Sequence, residues 1–259
     1  MVPQQFAGIE QHLLLWMVAM IRPGAALFAA PLTGAQQVPV QLRLVIALAI
    51  GIPAVQLSGF QLPAAGMISP DGFLLAIGEV VIGVGLGFAV QAGFAAALVA
   101  GEAISNAMGL GFAAMTNPLS GQASPALGQL LSMIAIFLFL ASDGHLLFAR
   151  IVVESYQAFP PGGAVPLQLL GQLTKLGSLI FAAGLAIALP VAAALVLVQL
   201  IMGVLARSAP SLNLFSVGIP AAIVAGVVLL AMAAPLMADT ILSAINQGLN
   251  QSAIFAHGG

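Results

Sequence analysis

The chain alternates long apolar runs with short polar stretches that are rich in glycine and proline. Six apolar runs can be distinguished, at 13–30, 44–57, 73–100, 126–153, 176–205 and 214–237. A helix needs about 20 apolar residues to cross a bilayer, whereas a buried helix of a soluble domain seldom has more than about 14 in succession. The pattern therefore predicts an all-α membrane protein, with about six long hydrophobic helices arranged as helical hairpins.

The lengths of the runs are uneven. As a helix, the run 176–205 would be about 45 Å long, well above the ~30 Å thickness of the hydrocarbon core, whereas 44–57 is too short to cross it. Such lengths suit helices that tilt, protrude or pack inside a larger assembly. Ordinary tilt combined with misplaced helix ends explains the lengths equally well.

Proline and glycine mark the joints, and the fourth run has a polar break at 142–145. The last twenty residues change in character, because apolar side chains at helical spacing alternate with polar ones. The apolar set is Ile241, Leu242, Ile245 and Leu249, and the polar set is Asp239, Asn246, Gln247, Asn250 and Gln251. This pattern predicts an amphipathic C-terminal helix that lies on the membrane surface or against a partner protein.

Composition supports the membrane class and excludes several functions. Of the 259 residues, 61% are hydrophobic and 5% charged, too few charges to solvate a soluble surface of this size. There is no cysteine, so disulfides and thiolate metal ligands are excluded. The five basic residues are scattered singly, which makes a nucleic-acid partner improbable and leaves the membrane orientation open. They are Arg22, Arg43, Arg150, Lys175 and Arg207. Because Arg22 lies inside the first run, we expect that run to remain in the mature protein.

Small residues recur at every fourth position along the third run. They are Gly85, Ala89, Gly93, Ala97 and Gly101, and Gly83 with Gly87 forms a second GxxxG pair. Such a stripe lets another backbone approach closely, which is how helices associate in lipid. We therefore expect this helix to be buried in protein, against a neighbour in the same chain or in another subunit.

Glu79 is the first candidate for function, because an ionisable group inside a membrane segment is costly and usually has a role. It could carry protons, or it could pair with an arginine such as Arg22. The structural pair is favoured, since proton relays chain several acids or histidines and no second one lies at helical spacing from Glu79. Glu102, at the end of the same run, is expected to cap the helix or contact a partner.

No catalytic or cofactor-binding motif is present. Asp143 and His145 are residue types of hydrolases, but neither GxSxG nor HExxH occurs, so an intramembrane hydrolase is disfavoured. The histidines have no metal-ligand spacing. The letters at 109–114 fit G-x-G-x-x-A, but a long apolar helix precedes them and a proline-containing loop follows. We expect no enzyme activity, no cofactor and no metal.

The stretch 109–125 is the one long non-helical stretch expected between strongly apolar helices. Irregular backbone at membrane depth persists only where protein buries it or where it lines a cavity. Bulky apolar side chains here can form a dry, deformable plug, although an ordinary surface turn is the simpler alternative. The predicted pore loop comprises Leu110, Phe112, Met115, Asn117 and Pro118.

Three stretches together resemble the FliR family, which is called SctT in injectisomes. The first contains Arg22, Pro23 and Arg43, and the second runs from 101 through 118 to 142–145 and 155–160. The third is the most specific, since 207–220 matches R-x-x-P-x-x-N-x-F-x-x-G-x-P. Its fixed positions are Arg207, Pro210, Asn213, Phe215, Gly218 and Pro220. Here Pro210 would stop one helix and Asn213 could cap the next, so we interpret the stretch as a rigid corner between two helices.

The resemblance implies a subunit of a type III protein-export gate, and overall likeness favours the flagellar over the injectisome form. It implies a helical ring formed with P- and Q-type subunits, largely above the bilayer plane, through which unfolded proteins leave the cytoplasm. It also implies A- and B-type export membrane proteins as partners, and the inner membrane at the flagellar basal body as the location. Residues 1–165 would be P-like, with a pore loop near 106–125 acting as a plug, and 166–259 would be a Q-like hairpin.

A polytopic secondary transporter for a small solute is the alternative function. Glu79 and the glycine-interrupted helices could form a binding site at the membrane midplane. That function predicts a self-sufficient protein with an inverted repeat, and no convincing repeat is found in the sequence.

Overall fold

A computed structural model describes residues 4–34, 38–60, 66–110, 126–163, 168–208 and 218–258, and all regular secondary structure in these ranges is helical. The helices there are α1 (Gln4–Ala29), α2 (Val40–Ser58), α3 (Pro70–Ala107), α4 (Ala126–Ala141), α5 (Gly144–Ala158), α6 (Gln168–Ser208) and α7 (Ile219–Ala256). Each predicted apolar run coincides, over nearly all of its described residues, with a helix or a pair of helices, which confirms the all-α class.

At two places the helices do not match the apolar runs one to one. The fourth run forms two helices, α4 and α5, that are separated at Ser142 and Asp143. Asp143 has a left-handed backbone (φ 55°), a conformation that interrupts a right-handed helix. The sixth run and the amphipathic segment, in contrast, form one continuous helix, since α7 passes through Pro235 without ending. The predicted C-terminal helix is therefore the last part of α7 and not a separate element.

Several helices are long enough to cross a bilayer. Four within the described part of the chain have the required length and hydropathy, or five if α4 and α5 together form one broken span. They are found at His12–Ala29, Pro70–Ala107, Thr174–Leu205 and Ile219–Ala256. With 38, 41 and 38 residues, α3, α6 and α7 would each extend for about 55 to 60 Å. Their excess length is thus a property of the helices themselves.

The chain divides into two compact units. The first, unit 1, comprises Met1–Ala92, Ser142–Leu176 and Asn246–Gly259. Here α1 packs against α2, and both helices contact α5. The centre of this packing is a cluster formed by Ala19, Ala54, Val55 and Tyr156.

A proline explains how closely α1 and α2 approach. Pro23 lies inside α1 and has no N–H, so the carbonyl of Ala19 lacks its helical donor. Gly51 of α2 lies directly against this carbonyl, and a side chain there would overlap it. The missing side chain therefore allows the backbone of α2 to cover the carbonyl that proline leaves free.

Glycines of α3 also allow close approach between helices in unit 1. Gly83 and Gly87 lie against the backbone of α1, at the carbonyls of Arg22 and Ala26. Gly85 faces another direction and lies against the ring of Phe255 in α7. Gly83 and Gly87 therefore contact a different neighbour from Gly85 of the stripe.

The second, unit 2, comprises Gly93–Ala141 and Gly177–Ile245. A β-carbon on Gly93 would lie 2.6 Å from the carbonyl oxygen of Ala244 in α7, and Gly101 lies against Gly128 of α4. At Gly85, Gly93 and Gly101 the small-residue stripe thus contacts helices of the same chain. Ala89 and Ala97 are buried as well. Half of the span in α3 is buried, against 22% for α6 and 17% for α7, so α3 is the most enclosed long helix.

Candidate functional site

Unit 1 contains a polar centre, formed by Arg22, Glu79, Ser155, Tyr156 and the carbonyl of Phe159. Arg22 is fully buried and Glu79 is 1% exposed. The Arg22 Nε donates to Glu79 Oε2 at 3.0 Å, and NH2 donates to Glu79 Oε1 at 2.7 Å. This is a bidentate ion pair, the geometry that a guanidinium group favours with a carboxylate.

The other contacts of Arg22 come from α5. NH1 donates to Ser155 Oγ at 3.1 Å, and NH2 donates to the carbonyl oxygen of Phe159 at 2.7 Å. Phe159 follows the last residue of α5, so the cation lies at the negative end of that helix dipole. The guanidinium group also lies over the ring of Tyr156, 3.9 Å from its centroid. Arg22 therefore joins α1, α3 and α5 through charge, hydrogen bonds and a cation–π contact.

The hydrogen bonds of the polar centre are those expected of a group that holds helices together. Both carboxylate oxygens of Glu79 accept from Arg22, and Ser155 Oγ in turn donates to the carbonyl of Val152 at 2.7 Å. The hydroxyl of Tyr156 is buried without a hydrogen-bond partner in the described part of the chain. Since Glu79 is engaged on both oxygens, this geometry favours the structural pair over the proton carrier.

A second group of contacts lies at the end of α3, in unit 2. The N–H of Gly109 donates to the carbonyl oxygen of Asn106, and that of Leu110 donates to the carbonyl oxygen of Ser105, both at 3.0 Å. Gly109 has a left-handed backbone (φ 78°), which completes a Schellman motif. Glycine suits this position because it adopts a positive φ without a steric penalty.

Two other helices contact this end of α3. Gln199 of α6 donates from Nε2 to the carbonyl oxygen of Ala107 at 2.5 Å. A β-carbon on Gly226 of α7 would lie 2.6 Å from Met108 Cε, so the methionine occupies the space that this glycine leaves. We call Ala107, Met108, Gly109 and Leu110, with their contacts to Gln199 and Gly226, the α3 terminus. Sequence analysis missed Gln199, although it is the sole polar side chain between Leu179 and Leu205.

The structure describes the predicted pore loop only at its start. Leu110 is half-buried and belongs to the α3 terminus. Phe112, Met115, Asn117 and Pro118 lie outside the described residues.

The predicted corner is described at its two ends. Arg207 is exposed in the last turn of α6. Gly218 directly precedes α7, and Pro220 lies in the first turn of that helix, where its missing N–H removes no helical hydrogen bond. Pro210, Asn213 and Phe215 lie outside the described residues.

The remaining sequence candidates belong to neither of these two groups. Asp143 and His145 are exposed at the junction of α4 and α5. Glu102 is half-buried on α3, and a β-carbon on Gly128 of α4 would lie 3.7 Å from its Cγ. Thus Glu102 contacts a helix of its own chain.

Comparisons with known proteins agree over most of the chain. Residues 13–248 match the family described as bacterial export proteins, family 1. The flagellar biosynthetic protein FliR of Escherichia coli is 36% identical over 227 residues, with 86% of this chain and 85% of that protein covered. The FliR proteins of Caulobacter vibrioides and Bacillus subtilis are 32% and 30% identical, over 82% and 83% of this chain and 84% of each relative. From these matches we conclude that the chain belongs to family 1 of the bacterial export proteins, together with the FliR proteins.

Proposed function

We propose that this chain is a gate subunit of a bacterial flagellar protein-export apparatus, and that it works without catalytic chemistry. The observation that carries the proposal is the match of residues 13–248 to a family of export proteins whose members include flagellar FliR proteins. The long apolar helices agree with an integral membrane subunit, since four of them are long enough to cross a bilayer.

The proposed partners are P- and Q-type subunits, which would complete a helical ring for unfolded substrates, with A- and B-type export proteins beside it. The proposed location is the inner membrane at the flagellar basal body. Two structural features support an assembly. First, α6 and α7 are longer than a bilayer is thick, and second, both carry large exposed apolar side chains. These include Phe181, Leu185, Leu197, Leu200, Ile201, Val224, Val227 and Met232.

We also propose the division into a P-like part, 1–165, and a Q-like hairpin, 166–259. In the hairpin, Arg207, Pro210 and Asn213 would hold the corner between α6 and α7. Replacing Asn213 with Ala would remove a helix cap and lower assembly by an effect of about 1 kcal/mol. Normal assembly with blocked export would instead indicate that the corner contacts the substrate directly.

We propose that the gate itself is the segment near 106–125. The segment includes the α3 terminus, and its sequence supplies Phe112 and Met115 as bulky apolar side chains. Such side chains can close a pore against ions while nothing is passing through.

Deletion of residues 111–124 tests this assignment. The shortened chain is expected to assemble with its partners and to make the cell membrane leak ions, measured as conductance and as sensitivity to osmotic stress. Changing Phe112 and Met115 together to Ala should have the same effect at full length. An assembled complex with the deletion that remains as ion-tight as the wild type contradicts the plug.

Co-purification in mild detergent distinguishes the gate from the secondary transporter. A gate subunit is expected in a stable ring with two other small membrane subunits. A lone chain that transports a solute would support the transporter instead.

A further inference from the structure

We infer that Gln199 is a positioning residue, which fixes the point where α3 ends and the segment 111–125 begins. The inference rests on the proposed function, because it concerns the residues that lead into the proposed gate. The contact that carries it is the hydrogen bond from Gln199 Nε2 to the carbonyl oxygen of Ala107.

The hydrogen bonds of the last turn of α3 explain what this contact provides. A helix ends with carbonyls that have no partner within the helix. Here the carbonyls of three residues accept from backbone N–H groups. The donors are Met108 to Ile104, Leu110 to Ser105 and Gly109 to Asn106. The next carbonyl, that of Ala107, accepts from the side chain of Gln199. The amide therefore continues the series of satisfied carbonyls by one residue beyond the Schellman motif.

Gln199 is itself exposed, on an apolar stretch of α6. Its neighbours Leu197, Leu200 and Ile201 are each 61% exposed, as expected for a helix that faces lipid or partner helices. In such surroundings a side-chain amide has little water with which to bond, so a backbone carbonyl is its best available acceptor. The negative end of the α3 dipole further favours a donor at this point.

Contacts from α7 hold the same end from another helix. Met108 is 2% exposed and fills the space beside Gly226. A β-carbon on Gly109 would lie 3.8 Å from Ile219, at the start of α7. With Met108 held in this way, loss of the Gln199 hydrogen bond should release the last residues of α3 and leave the helix itself in place.

The test replaces Gln199 with Met, which has nearly the same length and shape but no donor. The matched control is Leu200→Met, the same new side chain at the next, exposed position. Each is combined with Leu110→Cys, which gives a unique thiol because the chain contains no cysteine. The assembled complex is treated in membrane vesicles with a maleimide, and the labelling rate of this chain is followed.

The expected result is labelling about fivefold faster with Gln199→Met than with the wild-type residue at 199, the effect of one net hydrogen bond on a local opening. Ion conductance should rise as well, with the amount of assembled complex unchanged. Leu200→Met should change neither quantity.

Three other outcomes overturn a proposal, and they can be told apart. An unchanged labelling rate refutes the role of Gln199, whatever the conductance. Loss of assembly with Gln199→Met alone makes the residue a folding requirement, which also contradicts the inference. Faster labelling, combined with an ion-tight deletion of 111–124, upholds Gln199 and refutes the gate.

Discussion

At the residue scale, Arg22 makes the buried polar contacts that hold the helices of unit 1 together. Taking a guanidinium group and a carboxylate out of water is costly, and the pairing repays that cost only when the geometry is good and the remaining groups are bonded. Here each of the three guanidinium nitrogens donates, to Glu79, Ser155 or the carbonyl of Phe159. Pro23, the next residue, lies with Ala19 against Gly51 of α2.

Removal of one member of the ion pair should therefore be worse than removal of both. We expect Arg22→Met or Glu79→Leu alone to destabilise the protein by about 3 to 5 kcal/mol, because each leaves an uncompensated buried charge. The double variant should recover a large part of this loss. Thermal unfolding of the purified complex measures all three variants.

The control is the ion pair of Arg150 and Glu154, at 2.7 Å on α5, in which the arginine side chain is 74% exposed. Loss of this pair should cost no more than about 0.5 kcal/mol. A double variant at Arg22 and Glu79 that is less stable than both single variants would contradict the account of the polar centre.

Tyr156 contributes its ring and not its hydroxyl. Its ring lies 3.9 Å from Arg22, whereas its hydroxyl has no partner among the described residues. We expect Tyr156→Phe to be neutral or slightly stabilising, and Tyr156→Leu to cost about 1 to 2 kcal/mol through loss of the cation–π contact. Thermal unfolding compares the two variants. A large loss with Phe would mean that the hydroxyl has a partner beyond the described residues.

At the element scale, glycines determine where α3 can meet its neighbours. A β-carbon on Gly171, Gly177 or Gly203 of α6 would have nothing within 4 Å, whereas one on Gly85, Gly93 or Gly101 of the stripe would meet a neighbouring helix. Whether a glycine is closely packed depends on the neighbouring helix, so the spacing of glycines in the sequence does not reveal it.

A matched pair of substitutions tests this point. Gly93→Ala should destabilise the protein by about 1 to 3 kcal/mol, because the new methyl group would meet the backbone of Ala244 at 2.6 Å. At Gly203 of α6 nothing lies within 4 Å, so Gly203→Ala should be neutral or stabilising by up to about 1 kcal/mol. Thermal unfolding in detergent gives the comparison. Equal effects at the two positions would show that close approach is not what selects Gly93.

The sequence predicts the helices well because their signal is local. Apolar runs located every helix in the described part of the chain, and the polar stretch at 142–145 located the break at Asp143. The amphipathic segment is continuous with the sixth run in α7, which contains Pro235, since proline inside a membrane helix can be accommodated by its surroundings.

The contacts between helices were far less predictable. Arg22 and Glu79 could be named as candidates because buried charge is rare, but Ser155 and Phe159 lie more than a hundred residues along the chain from Arg22. Gln199 was missed because a single amide in an apolar run has no motif, and its acceptor is a backbone carbonyl.

At the scale of the whole molecule, the chain is apolar both inside and outside. Many of its large hydrophobic side chains are exposed, among them Phe137, Phe181 and Met232 at 63%, 70% and 76%. A surface of this kind needs lipid or partner helices to cover it.

We therefore expect the chain to be unstable when it is produced alone. Size-exclusion chromatography in mild detergent should give aggregates or a broad peak, and co-expression with the P- and Q-type subunits should give one sharp peak. A single sharp monomer peak from the lone chain would contradict this expectation and favour the transporter.

The packing of the end of α7 has a consequence for biosynthesis. Ser252 donates to the carbonyl of Leu86 at 3.0 Å, and Phe255 is buried against Gly85, so the end of α7, which is made after the other helices of unit 1, completes the packing of that unit. During translation the other helices of unit 1 are therefore made before these contacts of α7 can form. A chain stopped after Ile245 should thus be degraded faster in a pulse-chase experiment than one carrying Asn250→Ala, at an exposed position on the same turns.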